Sequence, residues 1–199
     1  MRVVRKLIKS IAFLAFPIAF LMILIAEPTF YLFFKEKWLA SVPYFQVLTL
    51  GGMLLPFTFI FSELFIAKER PAFFLGLEVV KGALLLLLIV LFFPKGIMGL
   101  AVSWVVYTVI TLLLSVFFAG KVIHYSILQF VTDTFPYMAA AGLSVAAAYF
   151  VARGIDTGLL FILVATAVTC VLYIAICRLL GLEMTKEVDG WFRARKKKI

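Results

Sequence analysis

Charged residues are scarce in this sequence: they make up 15% of its 199 residues, whereas hydrophobic residues make up 65%. Soluble domains carry about 25% charged and roughly 45–50% apolar residues. A chain of this composition cannot cover a folded surface with side chains that suit water. The sequence therefore predicts an all-α integral membrane protein and leaves no room for a separate soluble catalytic domain.

Residues that commonly carry enzyme chemistry are also scarce. The sequence has one histidine, His124, and two cysteines, Cys170 and Cys177, which stand about 10 Å apart along a helix and are too distant for a disulfide. Acidic residues Asp133 and Asp156 are predicted on opposite sides of the membrane. We therefore expect no catalytic residue, no metal site and no cofactor, which disfavours a membrane glycosyltransferase or acyltransferase.

Apolar runs of transmembrane length divide the sequence. A transmembrane helix needs about 20 mainly apolar residues. One domain, residues 1–199, is predicted as a bundle of about six transmembrane helices, with spans at residues 10–34, 43–67, 72–93, 97–119, 136–152 and 157–177. The mixed polar and apolar segment 121–134 predicts a short helix lying in the membrane interface. Residues 178–199 form a polar tail that ends in a basic run.

The net charge of +9 indicates membrane orientation rather than nucleic-acid binding, because the basic residues lie between and beyond the apolar runs. With the N-terminus inside, fourteen lysines and arginines fall on the inner side and four on the outer side, and Lys81 lies within the third span. Cytoplasmic loops carry such an excess. The count predicts a multi-pass protein of the bacterial inner membrane with both termini in the cytoplasm and the basic tail on anionic lipid.

A series of short motifs runs in order through residues 10–120. They are Phe16-Pro17-Ile18, Ala26-Glu27-Pro28, Glu36-Lys37-Trp38, Pro43-Tyr44-Phe45-Gln46-Val47-Leu48, Ala67-Lys68-Glu69-Arg70-Pro71, Leu77-Glu78-Val79-Val80-Lys81 and Pro94-Lys95-Gly96-Ile97-Met98-Gly99-Leu100-Ala101. In this order and spacing they resemble the polysaccharide flippases of the multidrug/oligosaccharidyl-lipid/polysaccharide exporter superfamily. The chain departs from that family at Phe34-Lys35, where the family usually has a glycine before the Glu-Lys-Trp cluster.

The resemblance implies a transporter that flips lipid-linked oligosaccharide or polysaccharide units across the inner membrane. Members of that family use two pseudo-symmetric lobes of about six helices, sometimes followed by two more. This chain resembles the last six helices of a fourteen-helix member, so the implied partners are membrane lipid, a lipid-linked saccharide substrate and a missing N-terminal lobe or partner subunit. A drug exporter of the same superfamily and a non-transporting membrane scaffold stay open as alternatives.

Three charged residues lie inside predicted spans, where charge is expensive: Glu63, Glu78 and Lys81. Counted from the span ends at Ala67 and Ala72, with a rise of about 1.5 Å per residue, they lie about 6, 9 and 13 Å deep. All three could meet on neighbouring antiparallel helices, and the functional interpretation is then a substrate-binding cluster in which Lys81 attracts a diphosphate headgroup and the carboxylates hold it until substrate arrives. The alternative is a self-neutralised structural pair, with Glu63 reaching the interface.

Gly51, Gly52 and Pro56 lie near the middle of the second span. Proline removes a helix hydrogen bond and glycine lowers the resistance to bending. We therefore predict a kink here, and a hinge if the transporter moves at this helix.

One face of the fourth span carries Trp104, Thr108, Thr111 and Ser115 at helical spacing. Helix packing is the simpler interpretation of this stripe. A sugar path is the alternative, because hydroxyls and an aromatic plane suit carbohydrates.

Overall fold

Residues 2–67, 71–155 and 158–185 are described by the computed structural model of the chain, and their regular elements are all helices. The α-helices are α1 (Arg2–Phe34), α2 (Val42–Gly52), α3 (Leu55–Ala67), α4 (Pro71–Phe92), α5 (Gly96–Ile123), α6 (Ile127–Ala152) and α7 (Gly158–Leu179). Short 3-10 turns at Glu36–Ser41 and Phe93–Lys95 precede α2 and α5. The predicted all-α fold is confirmed. Most of the predicted basic tail lies outside the described residues.

The described helices pass through the bundle six times. Five stretches are long and apolar enough to cross a membrane, and the longest, Phe73–Ile123, contains both α4 and α5. These two helices form an antiparallel hairpin, because Phe73 near the start of α4 packs on Phe118 near the end of α5, with ring centroids 5.4 Å apart. The stretch with α4 and α5 therefore crosses twice, and each of the other four stretches crosses once, α2 and α3 together forming one of them. The predicted bundle of about six apolar helices is confirmed.

The connection between α5 and α6 differs from the predicted interfacial helix. Segment 121–134 is not a separate helix: α5 ends at Ile123, His124 adopts a left-handed backbone with φ of 53°, and α6 already begins at Ile127. Ser126 caps α6, because its hydroxyl accepts from the Gln129 N–H and the Gln129 side chain accepts from the Ser126 N–H, both at 3.2 Å. From this cap α6 continues through Pro136, the predicted start of the fifth span.

Helix α1 packs chiefly on α6 and α7, and it also contacts α2 and α3. It is parallel to α6, since Phe13 lies edge-on to Tyr137 at 6.2 Å and Phe20, two turns further on, lies against Gly142. It is antiparallel to α7, because the Tyr173 hydroxyl late in α7 donates to the Phe13 carbonyl at 2.8 Å, whereas Gly158 at the start of α7 lies beside Pro28. Long-range aromatic and hydrogen-bond contacts therefore fix this three-helix unit.

A column of phenylalanines joins this unit to the other helices. Phe57, Phe61 and Phe65 on α3 are fully buried at helical spacing. Phe57 packs on Phe16 of α1 at 5.8 Å and on Phe130 of α6 at 5.4 Å. Burying such side chains stabilises the fold by about 1.5–3 kcal/mol each in water, and in lipid the equivalent gain comes from close packing.

The predicted interruption of the second span is present between α2 and α3, at Met53 and Leu54. Pro56 falls in the first turn of α3, where its missing N–H costs nothing. Gly51 is required by packing, because a Cβ there would lie 2.7 Å from Cδ1 of Trp104 on α5. Gly52 faces open space, with no atom within 4 Å of its Cβ position. A hinge motion at these residues stays a prediction.

The two glycines provide a matched pair of variants. We expect Gly51→Ala to lower the free energy of unfolding by about 1–3 kcal/mol, because the methyl group overpacks against Trp104. Gly52→Ala should leave it unchanged or raise it by up to about 1 kcal/mol, because alanine favours the helix. Unfolding of the purified chain by SDS titration in mixed micelles measures both, and equal effects would contradict the packing described here.

Candidate functional site

Lys81 is a buried lysine on a helix that is otherwise largely exposed. Among the side chains described on α4, the buried ones are Leu77, Lys81 and Leu88, which share one narrow stripe. This stripe packs against α3 and α5, and Lys81 keeps only 4% of its surface exposed. The register of α4 therefore places a charged side chain where the neighbouring positions of the stripe hold leucine.

The ammonium group of Lys81 has two hydrogen-bond partners. Its Nζ donates to Glu78 Oε1 at 2.8 Å and to Ser62 Oγ on α3 at 3.1 Å. The Ser62 hydroxyl in turn donates to Glu78 Oε1 at 3.4 Å. An ammonium group has three N–H donors, so these contacts leave one for a further oxygen ligand. We call Ser62, Glu78 and Lys81 the Lys81 triad.

The two charged side chains of the triad differ in exposure: Lys81 is buried and Glu78 is exposed. The Lys81 side chain is 5% exposed, whereas the Glu78 side chain is 43% exposed. The carboxylate therefore neutralises the buried ammonium while it remains accessible from outside the chain.

Glu63 does not take the place predicted for it. Successive residues on a helix point about 100° apart, and the register of α3 turns Ser62 toward Lys81 and Glu63 away from it. Glu63 is exposed and lines a groove of about 550 Å³ between α1 and α3, whose other walls include Leu7, Ile11 and Phe59. The expected meeting of three charges is wrong for Glu63. Substrate binding by Lys81, Glu78 and Glu63 stays a prediction.

Sequence reasoning missed Ser62, although a signal for it was present. Thr58, Ser62 and Phe65 follow at helical spacing and are all buried, so they mark the packed face of α3. The prediction for Glu63 rested on its charge. The packed face, rather than charge alone, decides which side chain reaches the neighbouring helix.

A second polar cluster, which the sequence did not predict, lies at the end of the bundle that holds the N-terminus. It consists of Arg5, Lys9, Tyr125, Asp133 and Glu183, and we call it the Asp133 cluster. Arg5 binds both carboxylate oxygens of Asp133, with Nε to Oδ2 and Nη2 to Oδ1 each at 2.8 Å. Lys9 lies 3.6 Å from Asp133 and 2.8 Å from Glu183. The Asp133 side chain is only 3% exposed.

Tyr125 completes this cluster from the α5–α6 connection. Its hydroxyl donates to Asp133 Oδ2 at 3.0 Å. Burial, with the Asp133 carboxylate beside it, raises the pKa of Tyr125 above its ordinary value, so the phenol keeps the proton that it donates. Gly120 permits this connection, because a Cβ there would lie 2.7 Å from the Tyr125 carbonyl oxygen.

The Asp133 cluster ties together four parts of the chain. Arg5 and Lys9 come from α1, Tyr125 from the α5–α6 connection, Asp133 from α6 and Glu183 from the segment after α7. Bidentate pairs between arginine and a carboxylate combine strength with fixed geometry. The cluster therefore holds the ends of these helices in one arrangement.

The stripe on α5 is explained by helix packing in this chain. Thr108, Thr111 and Ser115 are buried by the neighbouring helices. The Thr108 and Thr111 hydroxyls donate to carbonyl oxygens of their own helix, at 2.9 and 2.8 Å.

In the part of the chain that the structure describes, no group of three or more histidine, cysteine, aspartate or glutamate residues could hold a metal ion. Cys170 is exposed and Cys177 is buried, and neither forms a disulfide. The polar chemistry of the described chain is therefore concentrated in charged pairs and hydroxyl groups.

Comparison with known proteins gives one informative relative. The chain is 31% identical over 119 residues to a protein of Klebsiella pneumoniae named "Uncharacterized membrane protein in cps region". The match covers 58% of this chain and 24% of the relative, so the chain spans about a quarter of the relative's length. No family model and no solved structure matches the chain. The name of this relative agrees with a membrane protein, and the several long apolar helices of the described chain make it a multi-pass one.

Asp133→Asn tests whether the Asp133 cluster holds the helices together. Loss of the carboxylate charge leaves Arg5 and Lys9 with a weaker partner, so we expect the free energy of unfolding to fall by about 1–3 kcal/mol. Glu183→Gln is the matched control, because the Glu183 side chain is 65% exposed and its pair with Lys9 contributes about 0–1 kcal/mol. SDS titration of both variants measures the difference. Equal losses of unfolding free energy in the two variants would show that the burial of Asp133 adds nothing to the stability of the bundle.

Proposed function

We propose that this chain forms the C-terminal part of a transporter that flips lipid-linked oligosaccharide or polysaccharide units across the bacterial inner membrane. Three observations support the proposal: the order of the motifs in residues 10–120, the relative whose name refers to a cps region, and the buried Lys81 triad. In this assignment both termini face the cytoplasm, as the excess of basic residues on that side favours.

The burial of the Lys81 side chain inside the helix bundle is the main observation behind this proposal. An ionised side chain inside a membrane bundle is costly and commonly marks a substrate or ion path. The headgroup of a lipid-linked sugar contains phosphate groups, which are anionic and attract an ammonium ion. One N–H donor of Lys81 is left by its contacts in the triad, and a phosphate oxygen is a suitable acceptor for it.

The triad suggests how a charged headgroup enters without leaving Lys81 unpaired. Glu78 pairs with Lys81 in the absence of substrate, and its half-exposed carboxylate has room to turn outward when a phosphate arrives. One anionic partner of Lys81 is then exchanged for another, so the buried ammonium stays neutralised throughout. Ser62 remains in place and holds the amine in position during this exchange.

A second lobe completes the transport path in this proposal. Two-lobed transporters place the substrate between repeats, and the walls of the path come from both. The matched region is about a quarter of the relative's length, so the relative has enough further chain for such a lobe. We therefore propose that an N-terminal lobe or a partner subunit faces this bundle. Purified chain alone, reconstituted in vesicles, should flip no lipid-linked sugar.

The pairing of Glu78 with Lys81 also fits the second candidate, a non-transporting scaffold in which the two residues only stabilise the fold. A drug exporter of the same superfamily would use the same helices for a different substrate. Polysaccharide export in cells distinguishes these candidates, because only the proposed flippase needs the positive charge of Lys81 for that process.

Lys81→Met should reduce the amount of polysaccharide at the cell surface by about tenfold or more, since a hydrogen bond to a charged group contributes about 1.5–3 kcal/mol. Lipid-linked units should accumulate on the cytoplasmic side. Lys81→Arg keeps the charge and should retain part of the activity. Surface polysaccharide is measured in cells whose chromosomal gene carries each variant, and the amount of protein in the membrane is measured by immunoblot.

Lys95→Met is the matched control, because Lys95 lies in the exposed turn between α4 and α5, where its ammonium group is 4.9 Å from the centroid of the Phe92 ring. Normal export in this variant is expected. Wild-type export by Lys81→Met at a normal protein level would overturn the flippase proposal in favour of a scaffold.

A further inference from the structure

A polar cleft lies between α1, α6 and α7 at the end of the bundle opposite the Asp133 cluster. It has a volume of about 400 Å³, within the range of small-molecule sites. Its walls carry charged, phenolic and apolar side chains, chiefly Glu27, Tyr31, Leu39, Tyr149, Arg153 and Phe161. We call it the Glu27 cleft.

The fold opens this cleft by letting α1 extend beyond its neighbours. Pro28 of α1 lies level with the start of α7, because a Cβ on Gly158 would be 3.7 Å from the Pro28 carbonyl oxygen. The last turns of α1, up to Phe34, and Leu39 in the 3-10 turn then stand beyond the end of α6 and form one wall. The cleft therefore lies beside the end of α6, where the extended part of α1 has no neighbouring turn of α6 to pack on.

The charges in the cleft are not used to hold it together. Glu27 and Arg153 line the same space, yet they form no ion pair with each other in the described part of the chain. The Arg153 guanidinium instead lies over the ring of Phe150, 5.5 Å from its centroid. Glu27 lies seven residues before the end of a membrane helix, is exposed to the cleft, and forms no ion pair within the described ranges of the chain. A carboxylate on a membrane helix commonly serves a ligand or water.

We propose that the Glu27 cleft binds an uncharged sugar unit. A carboxylate accepts hydrogen bonds from hydroxyl groups, a guanidinium donates to them, and phenols do both. The rings of Tyr31, Tyr149 and Phe161 supply flat apolar surfaces for the C–H faces of a sugar ring. One negative and one positive group nearly cancel, so the cleft favours a hydroxyl-rich ligand over an anion.

This inference rests on the proposed function for its choice of ligand class and extends it. In the proposed orientation the cleft faces the outer side of the membrane, where a flipped sugar headgroup emerges. The Lys81 triad, on α3 and α4, would hold the phosphates, and the Glu27 cleft, on α1, α6 and α7, would hold the sugars.

Sugar binding is tested with the full chain in phosphatidylcholine nanodiscs, using saturation-transfer NMR and two neutral disaccharides, cellobiose and maltose. Wild-type chain should give a transfer signal above that of empty nanodiscs for at least one disaccharide. Glu27→Gln and Tyr149→Leu should each weaken the signal by about tenfold. Glu36→Gln and Phe33→Leu are matched controls, since both residues are exposed at the same end of the bundle but do not line the cleft, and both should keep the signal.

Three results would overturn the inference: no signal with either disaccharide, a full signal in Glu27→Gln and Tyr149→Leu, or loss of the signal when phosphatidylethanolamine is added. The last result would assign the cleft to a zwitterionic lipid headgroup. Lys81→Met should keep the disaccharide signal, so failure of sugar binding and failure of the proposed function are separate outcomes.

Discussion

Burial of the Lys81 ammonium in an apolar bundle is the constraint on which the rest of the proposed site depends. A charge at this depth needs a partner, and α4 supplies Glu78 one turn earlier on the same helix. Ser62 provides a second oxygen for the amine, because the register of α3 turns its hydroxyl toward α4. The buried aromatic column on the adjacent face of α3 has the same register. The buried lysine can therefore be accommodated only where the packed face of α3 brings Ser62 to it.

The two polar groups at opposite ends of α1 have different characters. In the Asp133 cluster, the carboxylate accepts hydrogen bonds from Arg5 and Tyr125, forms an ion pair with Lys9, and is almost fully buried. The Glu27 cleft is open, and its two charges face a space of about 400 Å³. The same three helices therefore carry a closed, fully paired charge cluster at one end and, within the described chain, an open, unpaired one at the other.

The sequence predicted the fold better than the site. Hydropathy predicts the helices because lipid leaves the backbone no choice but to satisfy its own hydrogen bonds. Hydropathy does not predict the helix boundary near residue 124. There the left-handed backbone of His124 ends α5, and the Ser126 cap begins α6. Proline also misleads at position 136, because a membrane helix tolerates it in its interior.

Contacts between residues that are far apart in the sequence could not be predicted from it. The partner of Lys81 at i−3 could be predicted, because helical spacing brings it close. The pair between Arg5 and Asp133 joins residues 128 positions apart, and no local periodicity connects them. Glu63 and Ser62 show the same limit within one helix, since only the packed face of α3 decides which of them meets α4.

A distance measurement on Lys81 tests the central claim most directly. In chain reconstituted in lipid and labelled with ¹⁵N-lysine and ¹³C-glutamate, solid-state NMR measures the dipolar coupling between Lys81 Nζ and Glu78 Cδ. We predict strong coupling between this amine and the carboxylate, as the 2.8 Å hydrogen bond requires. A Lys81 amine that is uncoupled from Glu78 and exchanges freely with water would contradict it.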